Sequence, residues 1–178
     1  MKKTFTMAIV MLAVLLTANV YAQDVKKFQL GIGLEGALPI GNLKNSYSVG
    51  AGATIRAAFG ISDNSAVTLT TGAIAFIPKD LNIGGTSVDL KAQINIPVKA
   101  GYKYFFSDKF YGIGEAGMTF AKTYLPNYGA GGGTVSVSSS SFTYAPGIGV
   151  QLGGFDASLR YEGYSGAGFI GLRAGFNF

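Results

Sequence analysis

The 178-residue sequence contains no cysteine and no histidine. The first absence removes disulfides and thiolate chemistry, so an exported domain of this length must hold together by packing and pairing alone. The second removes the side chain that most often serves as a general base near neutral pH and as a metal ligand. Charge is scarce as well: Asp, Glu, Lys and Arg make up 13% of the chain, against about 25% for a soluble domain. Something other than water is expected to touch much of such a surface. The charges are scattered singly, so there is no basic stripe of the kind that reads nucleic acid, and none is expected as a partner.

No apolar run is long enough to cross a membrane as a helix. The longest, Ala8 to Ala18, has eleven residues, where a bilayer core takes about 20. It follows Lys2 and Lys3 and precedes Val20-Tyr21-Ala22, the layout of a secretory signal peptide cleaved after Ala22. The reading therefore divides the chain into a signal, 1–22, and a single domain, 23–178. Removing Lys2 and Lys3 leaves 12 Lys and Arg against 9 Asp and Glu, a net charge of +3 in place of +5.

Two stretches fit the dinucleotide fingerprint G-x-G-x-x-G: GIGLEG at 31–36 and GIGEAG at 112–117. Neither is followed by apolar residues at helical spacing, so no helix N-terminus is available to hold a phosphate. Arg56 stands where the first copy would need an acidic residue for the ribose. A nucleotide site is excluded, and the glycines need another explanation.

That explanation is a period of two. Eight segments alternate an apolar face with a small or polar one: 26–38, 48–60, 66–76, 90–104, 110–121, 142–152, 155–164 and 169–178. The fourth is sharpest, with Ile94, Ile96, Val98, Ala100, Tyr102 and Tyr104 opposite Gln93, Asn95, Lys99 and Lys103. In the fifth, Glu115 shares the parity of Tyr111 and Ile113, so either it points inward with them or a bulge resets the register. A soluble barrel would coat its polar face densely with charge. Here that face is Gly, Ser, Thr and isolated charges, which suits a narrow barrel interior, while the apolar face edged with Phe and Tyr suits lipid. The G-x-G pairs are then strand glycines on the crowded inner wall. Glu35, Arg56, Arg160, Glu162 and Arg173 fall on the same small-residue face, Glu115 joins them, and lone charges there are expected to pair.

Short turns at Ser62–Ser65, Ser107–Lys109 and Gly153–Gly154 alternate with longer loops at 39–47, 78–89 and 122–141 and a short fourth at 165–168. The third loop carries a glycine run and a serine run and reads as a low-complexity tip. The fold expected is all-β: an eight-stranded antiparallel up-and-down transmembrane barrel, with the short turns facing the periplasm. Pro97 and Pro146, which remove ladder donors, are expected at bulges or rims.

Three patterns then carry a resemblance: the signal peptide, the segment Asn95-Ile96-Pro97-Val98-Lys99-Ala100-Gly101-Tyr102, and a last strand of alternating apolar residues ending in Phe176 and Phe178. The chain resembles the small outer-membrane β-barrel domains of diderm bacteria, similar in architecture to the eight-stranded outer-membrane protein A and X barrels. The resemblance implies residence in outer-membrane lipid and insertion by the barrel-assembly machinery, with Phe176 and Phe178 as the assembly signal. Barrel enzymes of that kind generally use a histidine base, which this chain lacks. The expected protein is a non-enzymatic monomer, envelope-structural or surface-binding through its loops, with an unidentified extracellular ligand. A narrow pore and a periplasmic lipid-binding barrel are the alternatives. No cofactor is expected, and no metal site beyond weak calcium binding by the loop carboxylates Asp80 and Asp89.

Overall fold

A computed structural model describes residues 27–79, 81–83, 86–88, 92–126 and 134–178. The expected signal segment with Ala22, and the loop residues Asp80 and Asp89, lie outside them. Eight strands close into a barrel: β1 (Phe28–Gly41), β2 (Tyr47–Ser62), β3 (Ser65–Pro78), β6 (Gln93–Phe105), β7 (Phe110–Pro126), β8 (Thr134–Leu152), β9 (Phe155–Tyr164) and β10 (Ala167–Asn177). Each pairs antiparallel with the next in the chain, and β1 closes the ring against β10, with the Phe178 N–H donating to the Leu30 carbonyl at 2.9 Å. A closed ring leaves no sheet edge along its wall, which lipid demands because nothing there can bond a free N–H or C=O.

The wall is turned inside out relative to a soluble protein. Leu34 is 72% exposed and Leu172 59%, whereas Lys99 and Arg173 are 0% exposed. Among the described residues, the outward positions of the eight strands carry a single charge between the barrel's two rims, Lys122 near the loop end of β7. Aliphatic residues occupy the middle of that wall. Aromatic residues gather toward both ends: Phe28 and Phe59, with ring centroids 5.1 Å apart, and Phe176 and Phe178 at 5.3 Å mark the tight-turn end, while Tyr144 and Tyr161 at 5.9 Å mark the other. An apolar band between two aromatic girdles is a surface matched to a bilayer.

Alternation places the strands well, and of the two readings open for Glu115 the inward one holds, but three other local readings change. Glu115 points inward with Tyr111 and Ile113, and the β6–β7 register runs unbroken from Phe105↔Tyr111 to Gln93↔Thr123, so no bulge intervenes. Gly112 and Gly114 consequently face outward, not onto the inner wall, and a Cβ at either would meet no atom within 4 Å. The other pairs do line the crowded interior: a Cβ on Gly33 would come within 2.7 Å of Arg173 Cζ.

The prolines are also accommodated differently. Neither Pro97 nor Pro146 sits at a bulge or a rim. Pro97 pairs with Thr119 and Pro146 with Gly114 in regular register. On the other side of each strand the ladder opens: β3–β6 pairing passes from Thr71↔Val98 to Ile74↔Asn95, and β8–β9 pairing from Tyr144↔Gly163 to Gly147↔Arg160, with no register change. A missing N–H removes a bond without requiring an inserted residue.

The third loop is largely strand. Ser138, Ser139, Ser140 and Ser141 pair with Lys122, Ala121, Phe120 and Thr119, so the serine run extends β8 into a tall β7–β8 hairpin. Serine's alternation with valine in TVSVSS satisfies a strand as readily as a tip, and composition alone concealed it. The first loop holds one helical turn, α1 (Leu43–Ser46), and the second a small hairpin, β4 (Leu81–Ile83) with β5 (Thr86–Val88). The β9–β10 turn is minimal, with Gly166 at φ +73° supplying the left-handed residue that such a turn needs.

A lipid-facing wall makes a specific demand. Leu34→Lys, at mid-wall, is expected to destabilise the barrel in lipid vesicles by about 2 to 4 kcal/mol. Urea titration measures it, and a change within about 0.5 kcal/mol, usual for a water-facing site, would contradict the orientation of the wall.

Candidate functional site: the barrel interior

Alternation aims every second residue of each strand at a lumen that, in an eight-stranded barrel, side chains just fill. On β9 the sequence DASLRYE therefore sends Asp156, Ser158, Arg160 and Glu162 inward in a row, all buried. Glu35 from β1, Arg56 from β2, Lys99 and Lys103 from β6, Glu115 from β7 and Arg173 from β10 meet them. All six charges selected from the sequence lie in this one cluster. It also takes in Lys99, Lys103 and Asp156, which the selection omitted although each has the right parity: Lys99 and Lys103 on the polar face of β6, and Asp156 four residues before Arg160.

Eight of the nine charges form a closed circuit of alternating sign. Arg56 Nε lies 3.4 Å from Glu115 Oε1, and Lys99 Nζ bridges Glu115 Oε2 at 3.2 Å and Glu162 Oε2 at 2.6 Å. Arg160 links Glu162 through Nε at 3.1 Å to Glu35 through Nη1 at 2.7 Å. Arg173 lies 3.9 Å from Glu35 through Nε and 2.8 Å from Asp156 Oδ1 through Nη1, and Arg56 Nη1 returns to Asp156 at 3.7 Å. Lys103 hangs from the circuit, 3.1 Å from Asp156 Oδ2, donating also to Gln151 at 2.6 Å and sitting 3.8 Å from the Tyr111 ring centre.

Hydroxyls repair the longer links. Thr54 accepts from Arg173 Nε at 3.0 Å and donates to Glu35 at 2.8 Å. Thr70 accepts from Arg56 Nε at 3.1 Å and donates to Glu115 at 2.5 Å. Tyr111 donates to both oxygens of Asp156, at 3.0 and 2.9 Å. Five cations face four carboxylates, and Nη2 of Arg56, Arg160 and Arg173 has no hydrogen-bond partner among the described residues. Alternation is what makes the cluster tolerable, since a buried charge is costly unless opposite charge and hydrogen bonds surround it.

Toward the loop end the lumen turns apolar. Ala37, Leu43, Tyr47, Ile74, Phe76 and Phe169 pack there as one buried cluster, with Phe76 and Phe169 rings 5.4 Å apart. Leu43 arrives from α1, so the first loop folds its own side chain into the mouth of the barrel. Arg160 joins the two layers, its guanidinium carbon 5.9 Å from the Phe169 ring centre. No group of three or more metal-ligating side chains occurs among the described residues.

The assembly candidates sit elsewhere. Phe176 packs toward Gly154 at the tight-turn end, and Phe178 lies exposed beyond the last strand.

No family model matches the chain, and no curated protein does. Solved structures do. The attachment invasion locus protein Ail of Yersinia pestis superposes with a TM-score of 0.60 at 16% identity, covering 85% of this chain and 97% of that one. The N-terminal β-barrel domain of Pseudomonas aeruginosa OprF gives 0.56 at 15% identity, covering 84% and 97%, and Neisserial surface protein A 0.55 at 15%, covering 85% and 96%. Ail is also solved in complex with the heparin analogue sucrose octasulfate. The chain thus has the fold of the small bacterial outer-membrane β-barrels.

Asp156 is the most heavily engaged carboxylate, held by Arg56, Lys103, Arg173 and Tyr111. Asp156→Asn leaves three cations short of an anion and is expected to destabilise the refolded barrel by about 3 to 5 kcal/mol, read from urea midpoints in detergent. Lys44→Ala, on exposed α1, is expected to move the midpoint by less than about 0.5 kcal/mol.

Proposed function

We propose that the chain is a non-enzymatic integral protein of the outer membrane, a closed barrel that serves the envelope structurally or binds partners through its loops. The observation that carries this reading is the lumen, filled at mid-height by the charge circuit and toward the loops by the Phe76–Phe169 cluster. A pore needs a continuous wet path, and that packing opposes one. A periplasmic lipid carrier would need the reverse arrangement, with an apolar lumen and a charged exterior.

The loop end is the part free to vary without disturbing the wall. It is uneven: the β7–β8 hairpin rises well past the two-residue β9–β10 turn. Ail, named for attachment and invasion and solved with a heparin analogue, supports the reading that a barrel of this fold can meet extracellular ligands. In this account residues 1–22 direct export with cleavage after Ala22, and the barrel-assembly machinery inserts the chain as a monomer using Phe176 and Phe178.

Planar-bilayer recording tests the closed barrel. Purified protein is expected to give no sustained conductance steps across the bilayer, with heat-modifiable gel migration verifying that the same sample is folded. Stable open-channel steps would instead favour the narrow pore. In cells, Phe178→Asp is expected to reduce the amount of folded barrel in the membrane severalfold while leaving the urea midpoint of refolded protein near wild type. Equal membrane levels would remove Phe178 from the assembly signal.

A further inference from the structure

Among the described residues, Lys122 is the one charge at an outward strand position. Lys122 lies on β7 two residues, or about 7 Å of strand rise, loopward of the outward ring of Phe120, and across from Ser138 on β8. Ile96, Phe120, Lys122 and Ser138 to Ser140 line a cleft of about 400 Å³ on that wall. The floor is apolar, from Ile96 and Phe120, which are 43% and 48% exposed. Its upper edge is polar, with one ammonium beside the serine run. Among the described residues the other outward strand positions toward the loops are uncharged, among them Leu38, Val49, Ile77 and Ile170, with Lys79 following just past the end of β3, so within the strands the cation marks one sector, β6 to β8.

Position decides what such a cleft can take. A lysine at mid-wall would be expensive, but just beyond an aromatic ring its ammonium reaches the depth at which lipid phosphates lie. There a cation attracts anionic headgroups, hydroxyls donate to phosphate oxygens, and the apolar floor continues into the acyl chains. A free anion would use only the upper half of this arrangement. We propose that the β6–β8 sector is a binding site for one phosphate-bearing lipid of the outer leaflet, with Lys122 pairing the phosphate, the serine hydroxyls of Ser138 and Ser140 as donors, and Ile96 and Phe120 under the first acyl segment. The site rests on the membrane reading above and adds to it a preferred lipid class and a fixed sector.

Native mass spectrometry in a neutral maltoside detergent tests the site, with phosphatidic acid and phosphatidylcholine as competing probes and folding of each variant checked by heat-modifiable migration. The wild type is expected to retain one phosphatidic acid with about fivefold preference over phosphatidylcholine. Lys122→Gln is expected to abolish that preference, Lys122→Arg to keep it, and Lys44→Gln to leave it unchanged. No preference in the wild type, or an unchanged preference in Lys122→Gln, overturns the site. Displacement of the lipid by equimolar inorganic phosphate would reassign it to a free anion. A chain that stays soluble without detergent would instead overturn the membrane reading, whatever the lipid result.

Discussion

Hydrocarbon will not hold an unpaired charge, and the arrangement of this barrel follows from that constraint. Within the hydrocarbon each strand must send its charged residues to the lumen and keep apolar ones outside, with Lys122 placed only near the loop end of β7. This fixes the register of all eight strands at once, because a slip by one residue would reverse both faces. The lumen must then accept nine charges in a space that side chains fill. It does so by alternating sign around a circuit, with Thr54, Thr70 and Tyr111 closing gaps that the ions leave. The outside rule and the inside circuit are two consequences of the same exclusion.

The inner glycines belong to the same economy of space. Gly33 lies against the Arg173 guanidinium, and a Cβ on Gly101 would approach Glu115 Cγ to 2.7 Å and the Gly114 carbonyl oxygen to 2.6 Å. Small residues on β1 and β6 therefore make room for large charged ones arriving from β10 and β7. The apparent nucleotide fingerprint at 31–36 comes from this packing, two inward glycines flanking an outward isoleucine, with Glu35 completing the inward row. Its double at 112–117 has a different origin: Gly112 and Gly114 face lipid, and only Gly117 is pressed from within, where a Cβ would reach the Lys99 Cα at 2.8 Å.

Strand parity was legible in the sequence wherever apolar and polar residues contrast, as in Gln93 to Tyr104, and it placed Glu35, Arg56, Arg160, Glu162 and Arg173 on the correct face. It was ambiguous where both faces carry apolar residues. Tyr111 and Ile113 point inward beside Glu115 because Tyr111 uses its hydroxyl on Asp156, a partner more than forty residues away that local pattern does not reveal. The serine run was misread for a related reason, since Ser138 to Ser141 are strand residues by virtue of pairing with β7 and not by propensity. Which charges join which is likewise a matter of closure: Glu35 meets Arg160 across 125 residues because β1 pairs with β10 and β10 with β9.

The most direct test of the central claim is a double-mutant cycle on the shortest arginine link of the circuit, Glu35→Gln and Arg160→Met alone and together, with unfolding free energies measured in lipid vesicles. A functioning circuit predicts single losses that do not add, with a coupling of about 0.5 to 3 kcal/mol and the double variant recovering part of what each single variant loses. Additive losses, with no coupling, would mean that Glu35 and Arg160 are each hydrated in the lumen on their own, and would contradict a paired interior.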